Sequence, residues 1–312
     1  MTGFSFMQTF KNSPPFVQLL VCIGIVFAGL FVSYFVSALF ILSRVGLSPE
    51  TLQNIGTILA NSPDLLRSMQ FFQIVAMFIF PAIICARLFS DDYKSYLRTD
   101  TPVNFSVLGL TLISMLVAIP FLNLTYKFNQ QLSFPEWFPA WLKDMEHWMA
   151  DMEKSQGEIL EKILQVTNGW DLLFVILIVG VLTGIGEEFI FRGVLQNIFA
   201  KVTRNPHAVI WIVAFIFSAI HLQFYGFIPR LLLGAYLGYL LYYTQNIWTP
   251  VLAHFTNNSV SIICTYIFRN TPEKAEALDE IGYGSTIEWA FISLALFAFL
   301  FWEIRKKRVE KT

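Results

Sequence analysis

Three charged side chains lie inside a long apolar stretch of the sequence, between Leu172 and Phe199. They are Glu187, Glu188 and Arg192, and a charge inside a membrane-spanning segment marks a functional site by default, because each costs about 3 kcal/mol on insertion scales. Glu188 and Arg192 are four residues apart, the spacing at which an acid and a base face each other on a helix. Glu187 lies about 100° further round the helix and has no partner in its own segment. We therefore predict that Glu188 is the structural partner of Arg192 and that Glu187 is a general base.

Two of the four histidines also fall inside predicted spans. His221 follows Phe217 by four residues, and His254 precedes Asn258 by four residues, so each pair shares a helix face. A single buried histidine is more often a packing residue than a functional one, but two of them with an unpaired glutamate and an aligned asparagine favour a site. Counted at ~1.5 Å per residue from the inner helix ends, these side chains lie between ~10 and ~21 Å deep. The sequence therefore predicts a polar pocket near the middle of the bilayer.

The composition indicates an all-α, polytopic membrane protein. The chain is 55% hydrophobic and 16% aromatic with only 14% charged residues, and its apolar residues gather into long runs. The formal net charge of -1 gives no reason to expect a nucleic acid partner. Runs of roughly 20 apolar residues predict about eight transmembrane helices. We place these spans near residues 16–43, 68–87, 103–126, 170–200, 207–222, 228–244, 247–269 and 285–303.

We interpret the whole chain, residues 1–312, as one membrane domain with four parts. Residues 1–127 hold three spans, residues 128–169 form a Trp-rich segment, residues 170–269 form the polar core, and residues 270–312 hold the last span and a basic tail. Lysine and arginine are concentrated in the segments that would face the cytoplasm if both termini lie there, which predicts cytoplasmic termini. The plasma (inner) membrane is the predicted location.

The Trp-rich segment has a helical apolar stripe. Trp137, Trp141, Met145, Trp148 and Met152 recur at spacings of four, four, three and four residues, and the opposite face is charged. Tryptophan favours the headgroup level of a bilayer, where its ring is buried and its N–H is hydrated. This predicts an interfacial amphipathic helix, which we favour as an anchor for the loop; a lid over a membrane cavity is the alternative.

The three polar motifs occur in one order on three separate spans. Glu187-Glu188-x3-Arg192, then Phe217-x3-His221, then His254-x3-Asn258, resemble the motif set of the CPBP family. These are CAAX-protease and bacteriocin-processing intramembrane proteases, also called the Abi family, with links to self-immunity. The resemblance covers about a third of the chain, and the first three spans and the Trp-rich segment carry no matching motif.

The resemblance implies an eight-helix intramembrane endopeptidase of the CAAX type, whose substrate is a membrane-bound or lipid-modified protein or peptide. It implies that Glu187 and His221 activate the attacking water, and that His254 and Asn258 donate hydrogen bonds to the oxyanion. Glu188 and Arg192 would support this arrangement. The bilayer and the membrane-bound substrate are the implied partners.

Metal chemistry is the alternative mechanism, since the family is often described as metalloproteases. Glu187, His221 and His254 form a two-histidine, one-carboxylate set that could hold Zn²⁺ with an open position for water. The sequence has no HExxH, and Asn258 beside His254 suits an oxyanion hole better than a zinc site. We therefore favour a glutamate mechanism without a cofactor.

Two non-proteolytic functions remain as alternatives. The first is a membrane immunity or scaffold protein that keeps the polar residues for binding. The second is an ion-coupled transporter with the three charges as a relay. The halves of the chain show no inverted repeat, which disfavours the transporter, and Gly234-x3-Gly238 is interpreted as a helix-packing surface.

Overall fold

The computed structural model describes residues 9–307, and this part of the chain is helical with no strand. In the amino-terminal half, the helices are α1 Pro15–Val45, α2 Pro49–Gln53, α3 Ile55–Ala60, α4 Pro63–Ile74, α5 Phe80–Phe89, α6 Tyr93–Tyr96, α7 Phe105–Val117, α8 Ile119–Gln130 and α9 Ala140–Ile163. They continue as α10 Gly169–Val175, α11 Thr183–Glu188, α12 Gln196–Val202, α13 Pro206–Ala219, α14 Phe227–Thr244, α15 Trp248–Phe268, α16 Pro272–Asp279 and α17 Ile287–Lys306. Three π-helices, Val75–Ile79, Ile176–Leu182 and Phe189–Leu195, and the 3₁₀ turn Gly284–Thr286 complete the described elements.

The membrane class follows from the length and composition of these helices. Four continuous helical stretches within residues 9–307 are long and apolar enough to cross a bilayer: Pro15–Val45, Pro63–Phe89, Gly169–Val202 and Gly284–Lys306. The pair α7 and α8 adds a fifth candidate, bent by 45°, and Pro120 lies at this bend, where its ring disrupts the helical hydrogen bonds. The all-α membrane class is confirmed.

The count of eight spans stays a prediction. Helix α13 is apolar but has only 14 residues. Helices α14 and α15 are not among the helices that meet the same criterion, and five of the six α15 residues from His254 to Ser259 are polar. The sequence prediction counted all three as spans.

The stretch Gly169–Val202 alternates between α- and π-helix, with α11 between two π-helices. A π-helix inserts an extra residue per turn, and such segments are frequent at functional sites. Small residues let this stretch approach α15 closely: a Cβ on Gly180 would lie 2.7 Å from Ser259 Oγ, and one on Gly184 would lie 3.4 Å from Phe255 N. The glycines therefore bring the acidic segment directly against α15.

Helices α13 and α14 pack through the two glycines that the sequence analysis singled out. A Cβ on Gly234 would lie 3.3 Å from Ala214 Cβ, and one on Gly238 would lie 2.9 Å from Ile210 Cγ2. This close approach agrees with the predicted packing surface.

The Trp-rich segment is helical over α9, but the helix is shorter than predicted. Trp137 lies in a turn before Pro139 and is not part of the helix, because the prolines at 135 and 139 interrupt the chain ahead of Ala140. Trp141 and Trp148 are 63% and 50% exposed on α9. Their position at the membrane interface stays a prediction.

Candidate active site

A fully buried ion pair is part of the candidate site. Arg192 Nη1 donates to Glu188 Oε1 at 2.9 Å, and both side chains are completely buried. Arg192 Nη2 also donates to the carbonyl of Gly234 on α14 at 2.8 Å, and its guanidinium lies 4.6 Å from the centre of the Phe217 ring on α13. Extra hydrogen bonds of this kind are needed to offset the desolvation of a buried ion pair. The predicted Glu188–Arg192 pair is present, and it also joins three helices.

Glu188 has a second contact that the sequence analysis did not foresee. His254 Nδ1 donates to Glu188 Oε1 at 2.8 Å, so Glu188 accepts from Arg192 and His254 with the same oxygen. A carboxylate on one ring nitrogen sets the tautomer and the orientation of a histidine. Glu188 therefore fixes the ring of His254 on α15, in addition to pairing with Arg192.

The two adjacent carboxylates differ in their surroundings. Glu188 is fully buried, whereas the Glu187 side chain is 13% exposed, and its Oε2 lies 3.8 Å from His254 Nε2. This separation exceeds a hydrogen bond and is the kind of gap that a water molecule can bridge. Glu187 is thus the more accessible of the two carboxylates, with an oriented histidine beside it.

His221 lies beside Phe217, whose ring also contacts His254. Helix α13 ends at Ala219, so His221 occupies the turn after the helix and not the span itself. His221 Nδ1 donates to the carbonyl of Phe217 at 2.7 Å, which leaves Nε2 as an acceptor. The Phe217 ring contacts both imidazoles, with centroid separations of 5.1 Å to His221 and 6.0 Å to His254. Within the described residues, His221 makes no direct hydrogen bond to Glu187.

Asn258 lies one turn after His254, as predicted, but its amide is already engaged. Asn258 Nδ2 donates to the carbonyl of Val179 at 2.9 Å, and its Oδ1 accepts from Asn257 Nδ2 at 3.2 Å. An amide nitrogen carries two hydrogens, so one N–H of Asn258 remains for another acceptor. The bond to Val179 fixes the direction of that N–H.

Arg230 is a charged residue near the site that the sequence analysis missed. It lies in the first turn of α14, where Nη2 donates to Gln223 Oε1 while Nη1 is buried without a partner among the described residues. The Arg230 guanidinium is close enough to Glu187, and to Glu153 of α9, for electrostatic attraction to both carboxylates. An isolated arginine in an apolar stretch is the same signal that identified Arg192, so the sequence could have revealed it.

The loop that carries His221 is held from two sides. The backbone N–H of Tyr225 donates to Glu153 Oε2 on α9 at 2.9 Å, and Asn129 Nδ2 on α8 donates to the carbonyl of Phe224 at 2.8 Å. Helix α9 therefore contacts the segment that borders the site, which is compatible with both roles considered for it, anchor and lid.

The zinc alternative lacks geometric support. Within residues 9–307, no group of three or more histidine, cysteine, aspartate or glutamate side chains is placed to hold a metal ion. His221 Nδ1 is bound to the carbonyl of Phe217 and His254 Nδ1 to Glu188, so each histidine keeps Nε2 free, and the Phe217 ring lies against both imidazoles. In this arrangement Glu187, His221 and His254 do not converge as a set of three ligands.

Comparisons with known proteins agree with the family resemblance that the three motifs indicate. Residues 169–260 match the family model described as type II CAAX prenyl endopeptidase, Rce1-like, so the resemblance stated from the motifs is confirmed for this region, which contains the whole candidate site. The uncharacterized protein YpbD of Bacillus subtilis (strain 168) is 28% identical over 129 residues. That match covers 40% of this chain and 56% of the relative. No solved structure matches the chain significantly.

Proposed function

We propose that this protein is an intramembrane endopeptidase of the CAAX type, which hydrolyses a peptide bond of a membrane-associated or lipid-modified protein. One observation carries the proposal: the Glu187 carboxylate faces His254 Nε2 at 3.8 Å, beside a fully buried ion pair, inside the region that matches the Rce1-like family. In this proposal the protein lies in the inner membrane with about eight spans and both termini in the cytoplasm.

The first step is activation of water by Glu187. The carboxylate accepts a proton from a water molecule while the water oxygen attacks the carbonyl carbon of the substrate, and the carbonyl oxygen becomes an oxyanion. His221 acts on the same water through Nε2, the nitrogen that its bond to Phe217 leaves free. Collapse of the tetrahedral intermediate breaks the C–N bond, and protonated Glu187 returns the proton to the leaving amine.

The oxyanion is stabilised by donors from α15. When His254 carries a proton on both nitrogens, Nδ1 donates to Glu188 and Nε2 can donate to the oxyanion, and the negative charge of Glu188 favours this imidazolium. The free N–H of Asn258 is the second donor. Glu188 and Arg192 are positioning residues, because they hold His254 and the acidic segment without contacting the substrate.

The test is cleavage of membrane-anchored peptides by the purified full-length protein in lipid. We expect Glu187→Gln to remove the base and to lower turnover by about 100-fold to 10,000-fold, with an unchanged melting temperature. Glu288→Gln, which changes a glutamate in the first turn of α17, is the matched control and should retain wild-type turnover. Wild-type turnover by Glu187→Gln would refute the assignment of the base, and co-purification of a partner without any cleavage would favour the scaffold function.

A further inference from the structure

One buried asparagine on α8 binds the backbone that follows His221. Asn129 lies in the last turn of α8 and is 1% exposed. Its Nδ2 donates to the carbonyl of Phe224 at 2.8 Å, and its Oδ1 accepts from the N–H of Ile228 at 2.7 Å. Only one orientation of the amide offers a donor to the carbonyl and an acceptor to the N–H, so the two bonds form together. Asn129 therefore ties the loop of residues 220–226, here called the His221 loop, to the start of α14.

A second side chain binds the His221 loop from α9. Glu153 Oε2 accepts from the N–H of Tyr225 at 2.9 Å. Helix α9 is itself fixed at its end by the buried Arg67 of α4, whose Nε donates to the carbonyl of Ile163 at 3.0 Å and whose Nη2 donates to that of Gln165 at 2.7 Å. The last carbonyls of a helix need such donors from outside the helix. Glu153 therefore binds the loop from a helix that is anchored elsewhere.

The turn at His221 needs support of this kind. Helix α13 ends at Ala219, two residues before the imidazole. Leu222, directly after His221, has a φ of 53°, in the left-handed region that residues other than glycine rarely adopt. Such a conformation persists only where the surrounding structure enforces it. The position of His221 therefore depends on the bonds made further along the loop, at residues 224–228.

We propose that Asn129 and Glu153 are positioning residues for His221: they fix the loop that follows the imidazole, so that Nε2 stays where it acts on the attacking water. Each acts through the backbone of the loop and not on the substrate. Both precede the region 169–260 that matches the Rce1-like family, so the catalytic unit extends into α8 and α9. The proposal rests on the proposed function, in which His221 acts on that water.

The first experiment compares two asparagines of α8 in the full-length protein in lipid. Asn129→Ala should lower kcat about tenfold to 100-fold, because a small displacement of a catalytic group is costly, and should leave KM within about twofold. Asn123→Ala is the matched control, because Asn123 Nδ2 donates to the carbonyls of Leu278 and Ile281 at 3.0 and 3.1 Å. It also removes two hydrogen bonds from α8, but neither involves the His221 loop. Asn123→Ala should therefore keep wild-type kcat while its melting temperature falls by an amount similar to that of Asn129→Ala.

The second experiment uses the glutamate on α9 and decides the question even if Asn129→Ala fails to fold. Glu153→Gln keeps an acceptor oxygen for the N–H of Tyr225 and should stay within about twofold of the wild-type kcat. Glu153→Ala removes the acceptor and should lower kcat about tenfold. Glu158→Ala removes an exposed carboxylate from the same helix and should have no effect on kcat.

Two measurements without substrate distinguish this proposal from the proposed function. Hydrogen exchange of residues 220–228 and the ring-nitrogen NMR signals of His221 should change in Asn129→Ala and stay as in the wild type in Asn123→Ala. If these changes occur but the wild-type protein cleaves no peptide, the proposed function fails while the support of His221 by Asn129 stands. Unchanged exchange and His221 signals in folded Asn129→Ala, or wild-type kcat in folded Asn129→Ala and Glu153→Ala, would overturn the proposal.

Discussion

Two membrane-spanning stretches of this protein are similarly apolar but have opposite surroundings. The stretch Pro15–Val45 is an uninterrupted α-helix, 11% buried over its most apolar window, whereas Gly169–Val202 is 50% buried and contains two π-helices. The second stretch holds three charged residues in its interior, Glu187, Glu188 and Arg192, and each lies beside a polar group of another helix. A span that faces lipid on most sides cannot supply such partners, so charge inside the membrane requires burial among helices.

The largest expected effect is at the arginine of the buried ion pair. Arg192→Ala leaves Glu188 fully buried without its cation, and we expect a loss of about 3–5 kcal/mol in the free energy of unfolding. The matched change on the lipid-facing stretch, Arg44→Ala in the last turn of α1, should stay within about 0.5 kcal/mol. Denaturation of the two variants in the same detergent measures the difference, and equal losses would mean that burial does not separate the two stretches.

The next effect concerns α15, which packs against the buried stretch. Asn258→Ala removes the proposed second donor to the oxyanion, and we expect turnover to fall by about 100-fold to 1,000-fold. Asn257→Ala is the control at the adjacent position, because the Asn257 side chain donates to Asn258 Oδ1 and leaves the donor nitrogen of Asn258 untouched. Steady-state cleavage of the same peptide by both variants gives the comparison; similar losses would show that Asn258 acts only through packing.

A smaller difference in stability is expected when one glycine of each stretch is replaced by alanine. Gly180→Ala would place a Cβ 2.7 Å from Ser259 Oγ, so we expect a loss of about 1–3 kcal/mol from overpacking. A Cβ on Gly24 of α1 would have no atom within 4 Å, and Gly24→Ala should raise stability by about 0.5–1 kcal/mol because alanine is the better helix former. Opposite signs in thermal unfolding are the expected result, and a loss of stability in both variants would contradict the difference in packing between the two stretches.

The smallest expected effect is that of a chelator. In the proposed mechanism Glu187 and His254 act on water and oxyanion directly, so treatment with a zinc chelator should leave turnover unchanged. Activity lost on chelation and restored by zinc would contradict the glutamate mechanism and would require Glu187 and both histidines to move together. Elemental analysis of the active protein is the accompanying control.

Part of the site could be predicted from local spacing. The Glu188–Arg192 pair was predicted because both residues lie on one helix, four positions apart, and helical geometry alone brings them together. The difference between Glu187 and Glu188 followed from the same geometry. The all-α membrane class followed from composition, since only helices or closed barrels satisfy their backbone within lipid.

Other features could not be read from spacing because they join distant residues. The bond between His254 and Glu188 spans 66 positions, and it gives Glu188 a second role. His221 was placed inside a span, but the helix ends at Ala219 and leaves it in a turn. Trp137 was assigned to the amphipathic helix, whereas the helix begins only at Ala140, after two prolines that periodicity does not weigh.

The sequence by itself determined the membrane class, the three polar motifs and the pairing of Glu188 with Arg192, because these depend on composition and on contacts within one helical turn. Only the tertiary structure decided that Glu187 is partly exposed while Glu188 is fully buried, and which ring nitrogen of His254 is held. Those outcomes depend on how closely helices approach one another. Glycine positions such as Gly180 and Gly234 permit that approach, but the partner across the gap is known only when the chain is folded.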